Sequence, residues 1–159
     1  MKRIILLSLS AATTAGLLFV NVYNSVVDAA NWNAALPDSI IAAREYFKVA
    51  SPGTFFRIVS PAGQILALVT VIACWNYGRL RYIALGTLLL AVFADALTFG
   101  YFYPRLDIMF TAPLESNGEG IRHAVEQWSS MNWFRSAMCA VNTFLAFTTL
   151  VLATKRTSL

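Results

Sequence analysis

Charge is the scarcest property of this chain. Aspartate, glutamate, lysine and arginine make up only 13% of its 159 residues, against 58% hydrophobic residues and a mean hydropathy of +0.62. A soluble domain of this size cannot bury so much apolar surface, which excludes an ordinary soluble enzyme. Histidine occurs once, at His123, so a haem held on both faces by histidine is excluded. Cysteine occurs twice, at Cys74 and Cys139, with no C-x-x-C spacing, which argues against a quinone-linked thiol oxidoreductase. The two thiols fall at depths differing by roughly 15 Å, too far apart for a disulfide, and read as small packing residues. Neither a glycine-rich phosphate loop nor a nucleophile elbow is present.

Long apolar runs are what the chain does have. Four of them, near residues 4–27, 57–77, 82–103 and 132–153, reach the ~20 residues that a membrane-crossing helix requires. They predict an all-α fold, an integral membrane four-helix bundle occupying residues 1–159 as one four-span domain, with the lipid bilayer as its surroundings. The net charge of +4 is not a nucleic-acid signature. Lys2, Arg3, Arg79, Arg81, Lys155 and Arg156 all flank helix ends on one side, the pattern of the positive-inside rule. It predicts a plasma membrane of the bacterial inner type, with both termini and the 78–81 turn in the cytoplasm. Lys2-Arg3, the following apolar run and Val27-Asp28-Ala29 also admit a cleaved signal peptide, which would leave three helices. The length of the run and its continuation into Asn21, Asn24 and Asp28 favour a retained helix.

The two longer loops, residues 28–56 and 104–131, then face outward, each predicted to carry a short interfacial helix. The first covers Asp38–Phe47 after Pro37, with Ile40, Ala43, Tyr46 and Phe47 on one face toward the membrane surface or the bundle. The second follows the Ser116–Gly120 break, over about Ile121–Ser130, in a loop that begins at Tyr103-Pro104. Pro61 is expected in the first turns of the second span, where a missing amide costs least. Trp32, Tyr46, Phe47, Phe55, Phe56, Tyr101, Phe102, Tyr103, Trp128 and Trp133 crowd the outer boundary as an aromatic belt.

Polar residues inside the runs mark where something happens. Phe56-Arg57 and Phe134-Arg135 open the second and fourth runs in the same words, each arginine followed seven residues later by an amide, Gln64 and Asn142. The match indicates that these two helices enter from the same side. At about 1.5 Å per residue from the outer ends, Gln64 and Cys139 lie roughly 10 Å deep and Asp95 roughly 12 Å. Asn21, Asn24, Asp28 and Trp32 form one helical stripe. Trp128, Asn132, Arg135, Cys139 and Asn142 form another, Asp95 and Thr98 align with Phe102, and Arg57 and Ser60 align with Gln64. Four stripes at one depth meet in the bundle interior.

Two readings remain open. Asp95 pairs with Arg135 or Arg57 and the asparagines bond across helices as polar glue; or the stripes line a wet, outward pocket that binds a ligand or does chemistry. In the second reading Asn21, Asn24, Asp28, Arg57, Gln64, Thr98, Trp128, Asn132 and Asn142 contact a small apolar ligand. His123, flanked by Glu119 and Glu126 at helical spacing, reads as a charged surface rather than a metal site. Residue pattern alone identifies no cofactor and no oligomeric state.

Phe99-Gly100-Tyr101-Phe102-Tyr103-Pro104-Arg105-Leu106-Asp107, followed by Trp128 through Arg135, resembles the small four-helix membrane proteins of the anthrone oxygenase-like family. In that family a proline motif follows the third helix and a Trp…Asn…Arg motif opens the fourth; here these are Pro104-Arg105, Trp128, Asn132 and Arg135. The resemblance implies an oxygenase-like enzyme oxidising an apolar or aromatic molecule that enters from the bilayer. It implies Asp95 as proton acceptor, Arg135 stabilising the developing enolate or phenolate, and Asn132 and Asn24 orienting the substrate. The competing expectation is a non-enzymatic membrane accessory protein that binds a lipid or a partner.

Overall fold

A computed structural model describes residues 2–155, and every regular element among them is helical. Arg156, one of the flanking basic residues, lies outside the described residues. Helix α1 (Lys2–Tyr23) passes through a π-helical turn, Asn24–Asp28, into α2 (Ala29–Ala34), and α3 (Asp38–Tyr46) follows. Helix α4 (Pro52–Cys74) leads by a tight turn to α5 (Arg79–Leu97), which runs through a second π-helical turn, Thr98–Phe102, into α6 (Tyr103–Thr111). Helix α7 (Gly118–Lys155) closes the bundle. Four continuous stretches, Lys2–Ala34, Pro52–Cys74, Arg79–Thr111 and Gly118–Lys155, are long and apolar enough to cross a membrane.

Both α1 and α5 pack against α4 and α7, giving a four-cornered bundle. The inward faces follow three- and four-residue spacing and are built largely from small or polar side chains, with Leu7, Val71 and Leu80 at the end away from the cap. They are Leu7, Ser10, Ala11, Thr14 and Asn21 on α1; Ala67, Thr70, Val71 and Cys74 on α4; and Leu80, Ala84 and Thr87 on α5. Large apolar residues such as Phe19, Ile58, Ile65, Leu89 and Phe144 point outward and are exposed. This inverts the pattern of a soluble bundle and matches helices that associate through close backbone approach and polar contacts. Gly63 permits such an approach, since a Cβ there would come 3.3 Å from Thr13 Cγ2 of α1.

One end of the bundle closes on Leu7, Val71, Cys74, Leu80, Ala84 and Ala153. Its α4–α5 turn contains Gly78 at φ +53°, ψ −116°, a conformation that side-chain-bearing residues avoid. The other end carries a cap formed by α2, α3, α6 and the first turns of α7. Its core joins Trp32, Ile40, Phe102, Met109, Val125 and Trp128, with Trp32 edge-on to Trp128 at 4.8 Å between ring centroids. Arg44 of α3 ties the cap together: its Nε and Nη2 donate to Met109 O (2.9 and 2.7 Å), and Nη2 also donates to Ala112 O (2.8 Å). These are carbonyls that the end of α6 leaves without helical partners. Helix α4 starts with Pro52 at its first position and a reciprocal capping box between Ser51 and Thr54.

Several boundaries differ from the sequence expectation. The first span does not end near residue 27: Ala29 N–H bonds to Asn24 O across the π turn and the helix continues to Ala34. Asn31 and Asn33, which read as loop residues, donate back to Val27 O and Ala29 O four residues earlier. The third span likewise does not stop at Tyr103-Pro104. Proline sits at the start of α6, just past the π turn, where the absent amide breaks no regular bond. The helix expected over Ile121–Ser130 is not separate but forms the opening turns of α7, whose 38 residues extend ~57 Å. Pro61 lies in the interior of α4, because that helix begins at Pro52 rather than near Arg57. Trp32, Phe102 and Trp128 are buried in the cap core instead of forming an outer belt, whereas Tyr46 and Trp133 are exposed.

Candidate functional site

The polar stripes converge where the cap meets the bundle. At their centre stands Asn132 of α7, fully buried. Its Nδ2 donates to Asn21 O (3.1 Å) and Ser25 Oγ (2.7 Å), and its Oδ1 accepts from Arg135 Nε (3.1 Å) and Nη2 (2.6 Å). One amide thus links α1, the first π turn and the Arg135 guanidinium. Arg135 is itself buried at 5% exposure, and its Nη1 reaches Thr98 Oγ1 of the second π turn at 3.3 Å. Three rings surround the guanidinium: Phe102 at 4.0 Å from its carbon, Phe56 at 5.3 Å and Trp128 at 5.9 Å.

Both π turns serve this site. The first buries the consecutive residues Asn24 and Ser25; the second presents Thr98 and buries Phe102. With its amide oriented to satisfy its neighbours, Asn24 donates to Val20 O (3.0 Å) and Asp28 Oδ2 (3.1 Å). π turns of this kind occur often at functional sites because they re-aim side chains without ending the helix.

Two spaces adjoin the cluster. The larger is a cleft of about 580 Å³ between the start of α4, the second π turn with α6, and the cap core. Aromatic rings dominate its walls, Asn24, Thr98 and Arg135 lie along it, and exposed Arg57 and Asp107 stand at it. Such a volume suits a molecule of drug or fatty-acyl size. The smaller is a crevice of about 40 Å³ deeper in the bundle, touched by Asn21, Asp95, Cys139 and Asn142. It has room for a water or two and none for an aromatic molecule. Phe56, Thr98 and Arg135 border both spaces and so form the partition between them.

The sequence-predicted site residues divide accordingly. Asn24, Arg57, Thr98, Trp128 and Arg135 line the cleft. Asn21, Asp95 and Asn142 line the inner crevice, where Asn21 Nδ2 bonds Leu17 O and approaches Cys139 Sγ at 3.6 Å. Asn132 lies behind both, as the residue that positions Arg135. Asp28 touches neither space and is held by Asn24; Gln64 touches neither and donates to Asp95 Oδ2 at 2.5 Å. Asp95 Oδ1 accepts from Ser60 Oγ, also at 2.5 Å.

The pairing of Asp95 with Arg135 or Arg57 is not made. Among the described residues, salt bridges join only Lys48 to Glu45, Arg122 to Glu119 and Glu126, and His123 to Glu126. Neutral donors on the neighbouring helix, Ser60 and Gln64, satisfy Asp95 instead. The face shared by Glu119, His123 and Glu126 is organised by Arg122, which bridges both carboxylates, and no group of metal-ligating side chains converges among the described residues.

Sequence reasoning missed Ser25, Phe56, Phe47 and Phe110. Ser25 stands four residues after Asn21 on the same helical face, so helical spacing could have found it as a partner for Asn132. Phe47 and Phe56 read as part of the aromatic belt and Phe110 as an ordinary loop residue, and nothing in the local pattern distinguishes a ring facing lipid from one facing a cleft. Compared with described protein families, curated proteins and solved structures, the chain shows no significant match.

Proposed function

We propose that this chain is an integral membrane protein that takes an apolar molecule into the cleft at the base of its cap. The observation carrying this reading is that one 580 Å³ space joins an aromatic wall to a polar floor of Asn24, Thr98 and Arg135 from three of the four long helices, with the fourth adding Phe56 and Arg57. Polar glue alone would leave the helices in contact and require no cleft. The flanking charges support the orientation: Lys2, Arg3, Arg79, Arg81 and Lys155 lie at the end opposite the cap. By the positive-inside rule that end is cytoplasmic and the cap faces outward, in a plasma membrane of the bacterial inner type.

Tryptophan fluorescence tests the reading directly. Trp32 and Trp128 line the cleft, whereas Trp75 and Trp133 are exposed on the outer surface. In a Trp75→Phe, Trp133→Phe background, a bromoalkane should quench the remaining emission saturably. Quenching that rises linearly with the quencher's membrane concentration, as for a tryptophan merely dissolved in detergent, refutes it.

One observation favours a second reading, the oxygenase chemistry implied by the family resemblance. Arg135 touches both the cleft and the crevice that contains Asp95. A phenol held in the cleft would pass its proton through crevice water to Asp95, leaving a phenolate beside Arg135 for attack on dioxygen. Oxygen consumption with an anthrone or naphthol substrate measures this, and unchanged turnover in Asp95→Asn and Arg135→Ala sinks it. Ligand binding without chemistry ranks first, because Asp95 does not reach the cleft.

A further inference from the structure

A guanidinium has five N–H groups. In Arg135, Nε–H and one Nη2–H go to Asn132 Oδ1, and one Nη1–H goes to Thr98 Oγ1. The remaining two, one on each terminal nitrogen, have no acceptor among the described residues. No carboxylate lies within 4.0 Å of the group, although it is 5% exposed and packed among three rings. A buried guanidinium with no directly bonded counter-ion is costly, and the two open N–H groups, one on each terminal nitrogen, are charged donors of the kind that bind carboxylate or phosphate oxygens. Trp128 Nε1, on the cleft wall, is a further buried donor without a protein partner. Arg57, also on the cleft, makes no ion pair among the described residues and rests over the Tyr103 ring at 5.7 Å. Of the acids nearby, Asp107 at the mouth accepts from Thr111, Asp28 from Asn24, and Asp95 from Ser60 and Gln64, and none forms a salt bridge with Arg135 or Arg57.

We propose that the molecule taken into the cleft is an amphiphile with a single anionic head, a carboxylate or a phosphate monoester. The open N–H pair of Arg135 holds the head, and the apolar body lies among Trp32, Phe47, Phe102 and Phe110. This rests on the cleft being a ligand site and adds the chemical class of the ligand. Asn132 is then a positioning residue, which aims the fork by occupying its inner edge. Arg57 is a second cation at the cleft, which meets the head group on entry.

Three brominated probes of equal chain length decide the question in the two-tryptophan background: 11-bromoundecanoate, 11-bromoundecyl phosphate and 11-bromoundecanol. The acids should quench saturably and bind on the order of tenfold to a hundredfold tighter than the alcohol, the difference expected for a hydrogen-bonded charge. The tighter of the two acids identifies the head group, and acetate or inorganic phosphate alone should not compete at equal concentration. Saturable binding of all three probes with equal affinity overturns the anionic head while leaving the cleft reading intact. Absence of saturable quenching by any probe overturns both. Arg135→Gln should erase the preference for the acids without weakening the alcohol. Where that variant fails to fold, Arg57→Gln, at an exposed position, should lower the preference severalfold in a protein of unchanged helicity, and an unaltered preference there counts against the proposal.

Discussion

Substitution of Asn132 by alanine tests the centre of the site in one step. The amide makes two neutral bonds, to Asn21 O and Ser25 Oγ, and receives two from the guanidinium of Arg135. Neutral side-chain hydrogen bonds inside membrane bundles average about 0.6 kcal/mol each. A hydrogen-bonded interaction with a charged group contributes about 1.5–3 kcal/mol. Asn132→Ala should therefore destabilise the fold by about 3–4 kcal/mol, measured as the shift in a reversible detergent-unfolding titration followed by circular dichroism. Asn132→Asp separates structure from recognition. A carboxylate at this position keeps the shape, still accepts from Arg135 with a stronger charge-assisted bond and can accept from the Ser25 hydroxyl. It loses the bond to Asn21 O, so the loss of stability should be smaller than in the alanine variant. The exchange also places a directly bonded carboxylate on Arg135, so the preference for anionic over neutral amphiphiles should disappear. A loss below about 1 kcal/mol in the alanine variant, or an undiminished anion preference in the aspartate variant, refutes the account of Asn132 as the residue that holds and aims Arg135.

Arg44→Met removes the three bonds that Arg44 gives to Met109 O and Ala112 O and should cost about 1.5–3 kcal/mol locally. Amide exchange should quicken in α3 and α6 and not in α4, and a uniform increase along the chain would contradict the cap as a locally separable unit. Gly78→Ala meets no neighbouring atom within 4 Å, so its cost is backbone strain alone, about 1–3 kcal/mol in the same unfolding titration. Arg122→Ala breaks two exposed ion pairs with Glu119 and Glu126 and should leave both the unfolding midpoint and probe binding unchanged.

The bundle was legible because its rule is simple. Apolar runs of about 20 residues announce helices of membrane length, and small and polar residues at three- and four-residue spacing announce their inward faces. Asn21, Asn24, Asn132, Arg135 and Asn142 all face inward as their stripes predict. The cap was much less legible. Its core uses the same aromatic residues that anchor helices at a membrane boundary, so composition could not distinguish Trp32 or Phe102 in a core from Tyr46 at a surface. Helix ends were misplaced for a related reason: Asp28, Asn31, Asn33 and Pro104 are residues that ordinarily end helices. Here π turns and back-bonding side chains carry the helix past them.

The charges were the least legible part, and the reason bears on function. Opposite charges buried at one depth are expected to pair, since each would otherwise remain uncompensated. In this bundle Asp95 is satisfied by Ser60 and Gln64 from α4, which leaves Arg135, on the same crevice, bonded to an amide and a hydroxyl and packed among three rings. Neutral donors thus fill the hydrogen-bonding capacity of Asp95 without drawing on the arginine's remaining N–H groups. A bundle stabilised only by polar glue gains nothing from holding the two charges apart. On the proposed reading the separation keeps the remaining N–H groups of Arg135 open to an incoming head group, which a direct ion pair with aspartate would occupy. The separation of Asp95 from Arg135 is therefore what the proposed anion site rests on, and exchanging Asn132 for aspartate tests it by placing a carboxylate directly on the arginine.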